Sequence, residues 1–262
     1  MTRPFELSDF RTLRKTRKQA VYLDTRSVLT QGPTLVPLRA FLSPLSQAVG
    51  SFTGVVEGPL QRPALIGQAT HHLNAVTARL TFLTPETPEA LSHTGELVEY
   101  LLKRLGGREA QTLIAAVDEK TETFEVLRGL NFSIYARQQI FRINAAPRPS
   151  QDDKSWRTFT SLDGINARKL HFATVPSLVQ QIEAVQFPEV RGWVHYEGDE
   201  MLAYAEVMEG PRGIWVQPYI HPEMNAVSDH LTRLVSVLRP RARRPVYVCL
   251  RSYQAGLSPF LG

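Results

Sequence analysis

A single cysteine, Cys249, occurs in 262 residues. It can form neither an intrachain disulfide nor a cysteine-based metal cluster, and a reducing compartment fits it. No window approaches the roughly 18 apolar residues of a membrane span. The opening MTRPFELSDFRTLRKTRKQ has no apolar core of a secretory signal. These absences lead to the expectation of a soluble, cytoplasmic protein with no membrane partner. Signatures that carry their own chemistry are missing too: there is no G-x-G-x-x-G, no P-loop, no G-x-S-x-G and no H-E-x-x-H. His71 and His72 are adjacent, so in a strand their rings point to opposite faces, and no metal site is expected. With 43% hydrophobic and 21% charged residues the composition excludes disorder over most of the chain.

Charge of one sign is concentrated rather than spread. The formal net charge is +5. Between Arg3 and Lys18 stand six basic and two acidic residues; between Arg233 and Arg251 stand six arginines and no acid. Two basic patches therefore sit on an otherwise acidic surface. Arg239, Arg241, Arg243 and Arg244 read either as a phosphate contact or as a solvated turn after a helix. Arg11, Arg14, Lys15, Arg17 and Lys18 read as the polar face of a helix rather than a nucleic-acid arm.

Residues 144–154 (NAAPRPSQDDK) hold no large apolar side chain and read as a linker. Domains 1–143 and 155–262 follow. In the first, Ser51–Glu57 and Ala64–Thr70 suggest a hairpin around Gly58-Pro59, and Ala78–Leu83 a third strand ended by Thr84-Pro85. Leu97, Val98, Leu101, Leu102 and Leu105 form a helical stripe stopped by Gly106-Gly107. Gln111–Val117 reads as a buried strand, Thr121–Leu130 as a helix and Ser133–Ile143 as the last strand. The second repeats this order. Gly192–Tyr196 and Met201–Met208 flank a Gly198-Asp199 turn, and Gly213–Ile220 ends at His221-Pro222. A stripe of Val227, Leu231, Leu234, Val235 and Leu238 follows, then a strand over Pro245–Leu250.

The repeat is the strongest organisational signal. In each half a strand ends in X-Pro-Glu, an amphipathic helix follows, and another strand returns. That order implies one parallel, right-handed crossover inside a mostly antiparallel sheet, an α/β (α+β) domain flanked by helices. By the repeat, Gly262 corresponds to Gly129. The second copy is therefore expected to be truncated, lacking about 14 residues of closing strand, or to borrow that strand.

Taken twice, this order resembles the GNAT superfamily of acetyl-CoA-dependent N-acetyltransferases. In that fold a central parallel strand pair splays to admit the pantetheine arm, and the next helix N-terminus receives the diphosphate. The family pattern V-x-P-x-x-R-x-x-G-x-G/A meets Ile220-His221-Pro222-Glu223-Met224-Asn225-Ala226-Val227-Ser228-Asp229-His230. Strand and proline match; Asn225 replaces the arginine, and Ser228 and His230 the glycines. In the first half only Gly95 of His93-Thr94-Gly95-Glu96 falls on a glycine position, and Leu127 stands where a tyrosine is usual.

The resemblance implies acetyl-CoA as cofactor and transfer of an acetyl group to a small-molecule or peptide amine. It places cofactor binding at Tyr219, Ile220, His221, Ala226, Val227, Ser228, Asp229 and His230 in the second domain. In the first domain the matching positions are Leu83, Thr94, Gly95 and Glu96. Glu206 and Tyr253 are the catalytic candidates, as base and phenolic acid; each also reads as an ordinary surface or packing residue. Cys249 reads as a buried thiol. A second reading is a catalytically degenerate pair that binds or scaffolds. A third is nucleic-acid binding through the basic patches, which lack interleaved aromatics.

Overall fold

Both halves of the chain open on the same local device. In the first, Arg3 donates from Nη1 and Nη2 to the two carboxylate oxygens of Asp9, at 2.7 and 2.8 Å. In the second, Arg157 grips Asp163 the same way, at 2.8 and 2.6 Å. Each aspartate also closes a one-turn 3₁₀ segment (Leu7–Asp9, Ser161–Asp163) in a capping box. Phe5 and Phe159 hold the same place between arginine and aspartate. The duplication thus extends to Arg-x-Phe-x-x-x-Asp, a signal earlier in each copy than the strand-helix-strand repeat.

The computed structural model describes residues 1–33, 50–59, 62–72, 75–143, 155–183, 192–238 and 244–254. The chain divides into two units, Met1–Ser133 and Ile134–Gly262. The expected linker at 144–154, the arginines at 239, 241 and 243, and the end of the chain from 255 lie outside the described residues.

The first unit contains β1 (Thr2–Pro4), α1 (Phe10–Thr16), β2 (Val21–Tyr22), α2 (Thr25–Gln31), β3 (Ser51–Glu57), β4 (Pro63–His71), β5 (Thr77–Thr84), α3 (Pro88–Leu91), α4 (Thr94–Gly106), β6 (Thr112–Ile114) and α5 (Glu122–Gly129). The sheet runs β1-β3-β4-β5, with β2 and β6 both paired to the far side of β5. The apolar stripe of α4 covers one face: Leu97, Leu101 and Leu105 pack with Val56, Leu65, Ala69 and Leu80. Two glycines set how close that helix lies. A Cβ at Gly67 would meet Leu97 Cδ2 at 2.5 Å, and one at its cross-strand partner Gly54 would meet Tyr100 Cδ1 at 2.8 Å. Phe5, Leu13, Val55, Ile66 and Phe82 form the core of the opposite face.

The second unit contains β7 (Gln138–Ile143), β8 (Arg157–Thr158), α6 (Gly164–Thr174), α7 (Ser177–Ile182), β9 (Gly192–Glu197), β10 (Glu200–Glu209), β11 (Ile214–Ile220), α8 (Val227–Leu238) and β12 (Val246–Arg251). Its order is β7-β12-β11-β10-β9-β8, antiparallel except for β11 and β12. Alternation sorts the side chains. Ile214, Val216 and Ile220 join Val246, Val248 and Leu250 under the stripe of α8. Tyr219, Tyr204 and Met201 face the other way, toward α6 and α7.

Two expectations change here. Ser133–Ile143 was expected to close the first sheet, and the second copy either to lack its closing strand or to borrow one. Instead β7 pairs antiparallel with β12 along Gln138–Ile143 and Arg251–Val246. The strand that precedes 144–154 pairs into the sheet that follows it, beside β12. The division accordingly falls after Ser133, ten residues before the expected 143. The physical reason is pairing rather than composition: the exposed edge of β12 offers a full ladder to β7, whereas the shorter β6 offers three residues. That shortness is the other change, since only Thr112–Ile114 of the expected Gln111–Val117 is strand.

Candidate functional site

Among the described residues each unit has one parallel strand pair joined through a helix, β5-α4-β6 and β11-α8-β12. In both, the ladder holds for three residues and then stops. Thr77–Arg79 pair with Thr112–Ile114, and Ile214–Val216 pair with Val246–Val248. Arg79 and Val216 are thus matching positions, as are Thr81 and Pro218, and Leu83 and Ile220. Beyond them the strands part, and each unit has a gap between the C-terminal ends of its parallel pair. What fills the gap differs.

In the first unit the chain itself fills it. Val21 and Tyr22 pair antiparallel with Leu83 and Phe82. Leu23 N–H donates to Thr81 O at 2.8 Å, and Leu23 O accepts from Ala116 N–H at 2.8 Å. Around them Gln19 O accepts from Glu86 N–H at 2.6 Å, and Thr16 O accepts from the Thr84 hydroxyl at 2.9 Å. Residues 21–23 therefore bridge β5 to the continuation of β6, and the backbone groups of Leu83 already have partners.

In the second unit no strand among the described residues enters. Ile214 N–H donates to Pro245 O at 3.0 Å. Residues 214, 216, 218 and 220 therefore turn their backbone groups toward β12, and residues 215, 217 and 219 toward β10. Pro218 can stand inside this central strand because its nitrogen, which has no hydrogen, faces the gap rather than the β10 ladder. A side chain spans the gap at this level: Gln254 Nε2 donates to Pro218 O at 2.6 Å, and Gln254 Oε1 accepts from Arg251 N–H at 3.1 Å. One level on, the N–H and C=O of Ile220 face the gap.

On the α6/α7 face of β10–β12 lies a polar cluster. Arg251 Nη2 contacts both carboxylate oxygens of Glu183, at 2.7 and 2.8 Å, and the Tyr135 hydroxyl donates to the same carboxylate. Both members of this ion pair are nearly buried, with side-chain exposures of 9% and 12%. Burial works against the Arg251 charge most strongly of any single influence, but Glu183 together with Cys249, Tyr135 and Tyr219 outweighs it and holds the guanidinium above its ordinary value. Gln217 Nε2 donates to the Tyr219 hydroxyl at 2.9 Å, and Tyr219 stacks on Tyr204 with ring centroids 5.9 Å apart. The His171 ring meets Tyr219 edge-on at 5.3 Å. Its Nδ1 is buried with no hydrogen-bond partner, and burial pushes the imidazole below its usual value despite Glu183 and Glu206.

The candidate residues fall as follows. Tyr219 and Ile220 end β11, and His221 follows, its N–H donating to Leu202 O at 2.8 Å. Ala226 adopts a positive φ of 48° just before α8, whose first turn holds Val227, Ser228, Asp229 and His230. Glu206 is half-buried on β10, opposite Gln217. Tyr253 packs against the cluster of Tyr204 and Tyr219, and burial pushes its phenol up to about 12. In the first unit, Leu83 is paired to Val21. Thr94, Gly95 and Glu96 begin α4, where the buried Thr94 hydroxyl has no partner and Glu96 lies 3.6 Å from His93 Nδ1. Cys249 is buried. Reading the sequence missed His171, Glu183 and Arg251, whose sequence separation hides their meeting. A polar Glu and a lone Arg at the ends of apolar stretches were the available signals.

A mixed, mostly antiparallel sheet with one splayed parallel pair and a helix leaving the splay defines a class of fold, and this chain contains it twice. No protein-family model and no curated protein matches the sequence. Solved structures do. A GCN5-related N-acetyltransferase from Sphaerobacter thermophilus superposes with a TM-score of 0.55 at 10% identity, covering 96% of this chain and 86% of that one. A tandem GNAT protein from the clavulanic acid biosynthesis pathway gives 0.51 at 14% identity, covering 100% and 94%. A glucosamine N-acetyltransferase region of a fungal multi-domain β-N-acetylglucosaminidase gives 0.53 at 8% identity, covering 95% of this chain and 35% of that one. The chain has the tandem GNAT fold. Among the described residues, no helix is long and apolar enough to cross a membrane.

Proposed function

We propose that the second unit is an N-acyltransferase site that uses acetyl-CoA, and that the first unit is its non-catalytic companion. The observation that carries this reading is the contrast between the two gaps. An extended amide-bearing chain such as pantetheine needs a strand edge with N–H and C=O turned toward it. Ile220 offers both, whereas Leu83 has already given its own to Val21. The Gln254 amide across Pro218 and Arg251 supports the fit, because it shows an amide group satisfying that stretch of edge.

The residues fit the arm of the cofactor better than its diphosphate. Backbone N–H groups at the start of α8 favour an anion, but Asp229 opposes one, and Ser228 and His230 stand where glycine would allow close approach. Affinity is expected to rest on the arm.

When bound, acetyl-CoA supplies an activated acyl thioester. Ile220 holds the arm through its N–H and C=O. Glu206 takes the proton from the attacking amine, which is a small molecule or the amino group of a peptide. Tyr253 holds a phenolic proton over the whole neutral range because burial raises it, as protonation of a departing thiolate requires.

Acetyl-CoA at a hundredfold excess over its Kd should stabilise the full chain by about 2.7 kcal/mol. Tyr253→Phe should lower kcat about a hundredfold, with that stabilisation retained. No shift of Tm at millimolar acetyl-CoA contradicts the reading and leaves the degenerate binding pair in its place.

A further inference from the structure

We propose that His195, Glu197 and His230 form a site for one divalent transition-metal ion of the zinc class, on the face of the second sheet covered by α8. His195 and Glu197 are two apart on β9, so their side chains leave the same side of the sheet. His230 comes from the first turn of α8. One ligand atom of each residue lies within 4.8 Å of the others, and His195 Nε2 is 3.8 Å from Glu197 Oε1.

The orientation of His195 is the second observation. Its ring is almost wholly buried, with a side-chain exposure of 6%. Nδ1 lies 2.6 Å from Ser155 O, and a carbonyl can only accept, so Nδ1 carries the proton. Nε2 then holds a bare lone pair, and it is buried with no hydrogen-bond partner. A backbone carbonyl on the far nitrogen is how metal-binding imidazoles are oriented and made more basic. The tilted His195 and His230 rings, with centroids 4.3 Å apart, turn toward the same space. Trp156 walls it, 5.7 Å from the His195 ring, and its indole N–H donates to His230 O at 2.8 Å.

Two imidazoles and one carboxylate suit zinc, cobalt or nickel and not calcium or magnesium. Metal–ligand bonds of about 2.0–2.2 Å place ligand atoms roughly 3.4 Å apart in a tetrahedron, so small side-chain rotations close the site. Three protein ligands leave a fourth position for water. A metal here ties β9 to the helix that leaves the splay and stiffens the start of α8. His230 also stands at the turn weighed above for the diphosphate, but zinc binding is read without acetyl-CoA, so this inference stands whether or not acetyl-CoA binds.

The test uses the full chain, stripped with a chelator and titrated with zinc against a chromogenic competitor, with cobalt as a spectroscopic stand-in. One equivalent per chain is expected, with cobalt d–d bands of low coordination number. No thiolate charge-transfer band should accompany them, because Cys249 lies on the opposite face. Glu197→Gln, a change at an exposed side chain, and His230→Gln should each weaken zinc at least about tenfold. Zinc should raise the Tm of the parent chain but not of these two variants. No zinc binding at micromolar concentration overturns the proposal, as does binding that both variants leave unchanged.

Discussion

The two units solve the same structural problem in opposite ways. A parallel pair that splays exposes strand edge, and exposed N–H and C=O groups inside a protein need partners. The first unit supplies them from its own backbone at Val21–Leu23. Among the described residues the second supplies one amide side chain, Gln254, and turns the N–H and C=O of Ile220 at the next level toward the gap. The matching side chains diverge as well. By register, Arg251 corresponds to Val117, so the buried ion pair of the second unit has an aliphatic residue in its place in the first. Duplication kept the frame, and among the described residues the copies differ in what lies between the parting strands.

The sharpest way to break the comparison is to disturb the ion pair. Arg251→Met leaves Glu183 buried without its cation and should cost about 3–5 kcal/mol. All three tryptophans, Trp156, Trp193 and Trp215, lie in the second unit. Tryptophan fluorescence therefore follows that unit alone, and its denaturation midpoint should fall. A double variant, Arg251→Met with Glu183→Gln, should recover part of the loss, because the orphaned charge is gone. An unchanged fluorescence midpoint in the single variant would remove the ion pair from the account.

A smaller effect tests what the copies share. Hydrogen bonds from Arg157, together with those from Thr160 and Tyr196, outweigh burial and hold the Asp163 carboxyl well below the usual carboxylate range. A depressed folded value contributes stability above the unfolded value of about 3.9, and that contribution is lost as pH falls through the folded one. Asp163→Asn should therefore cost on the order of 1–3 kcal/mol from pH 5 to 8. The deficit relative to the parent should shrink below about pH 4. Fluorescence should report it, whereas Asp9→Asn in the first unit should move the circular-dichroism transition and leave the fluorescence transition in place.

Element order was legible because period and punctuation are local. The stripe of Val227, Leu231, Leu234 and Leu238 and the X-Pro-Glu stops each announce themselves within a dozen residues. Pro218 was legible as a proline, but not as a proline whose nitrogen faces a gap. Val21-Tyr22-Leu23 is too short to read as a strand, and only the tertiary fold shows that it lies beside Leu83. The destination of β7 was equally hidden. Alternation in Gln138–Ile143 identifies a strand but not its sheet, and pairing partners are set by whichever edge is long enough. His195 and Glu197 carry a two-residue spacing readable in sequence. His230 joins them only because β9 and the start of α8 meet on one side of the sheet.

The central claim is that one gap is open to a ligand and the other is closed by the chain. Hydrogen exchange of the full chain, with and without saturating acetyl-CoA, tests it residue by residue. The account predicts slowed exchange at Ile220 and in the first turn of α8, with residues 81–84 and the start of α4 unchanged. Protection in the first unit, or equal protection in both, would contradict it.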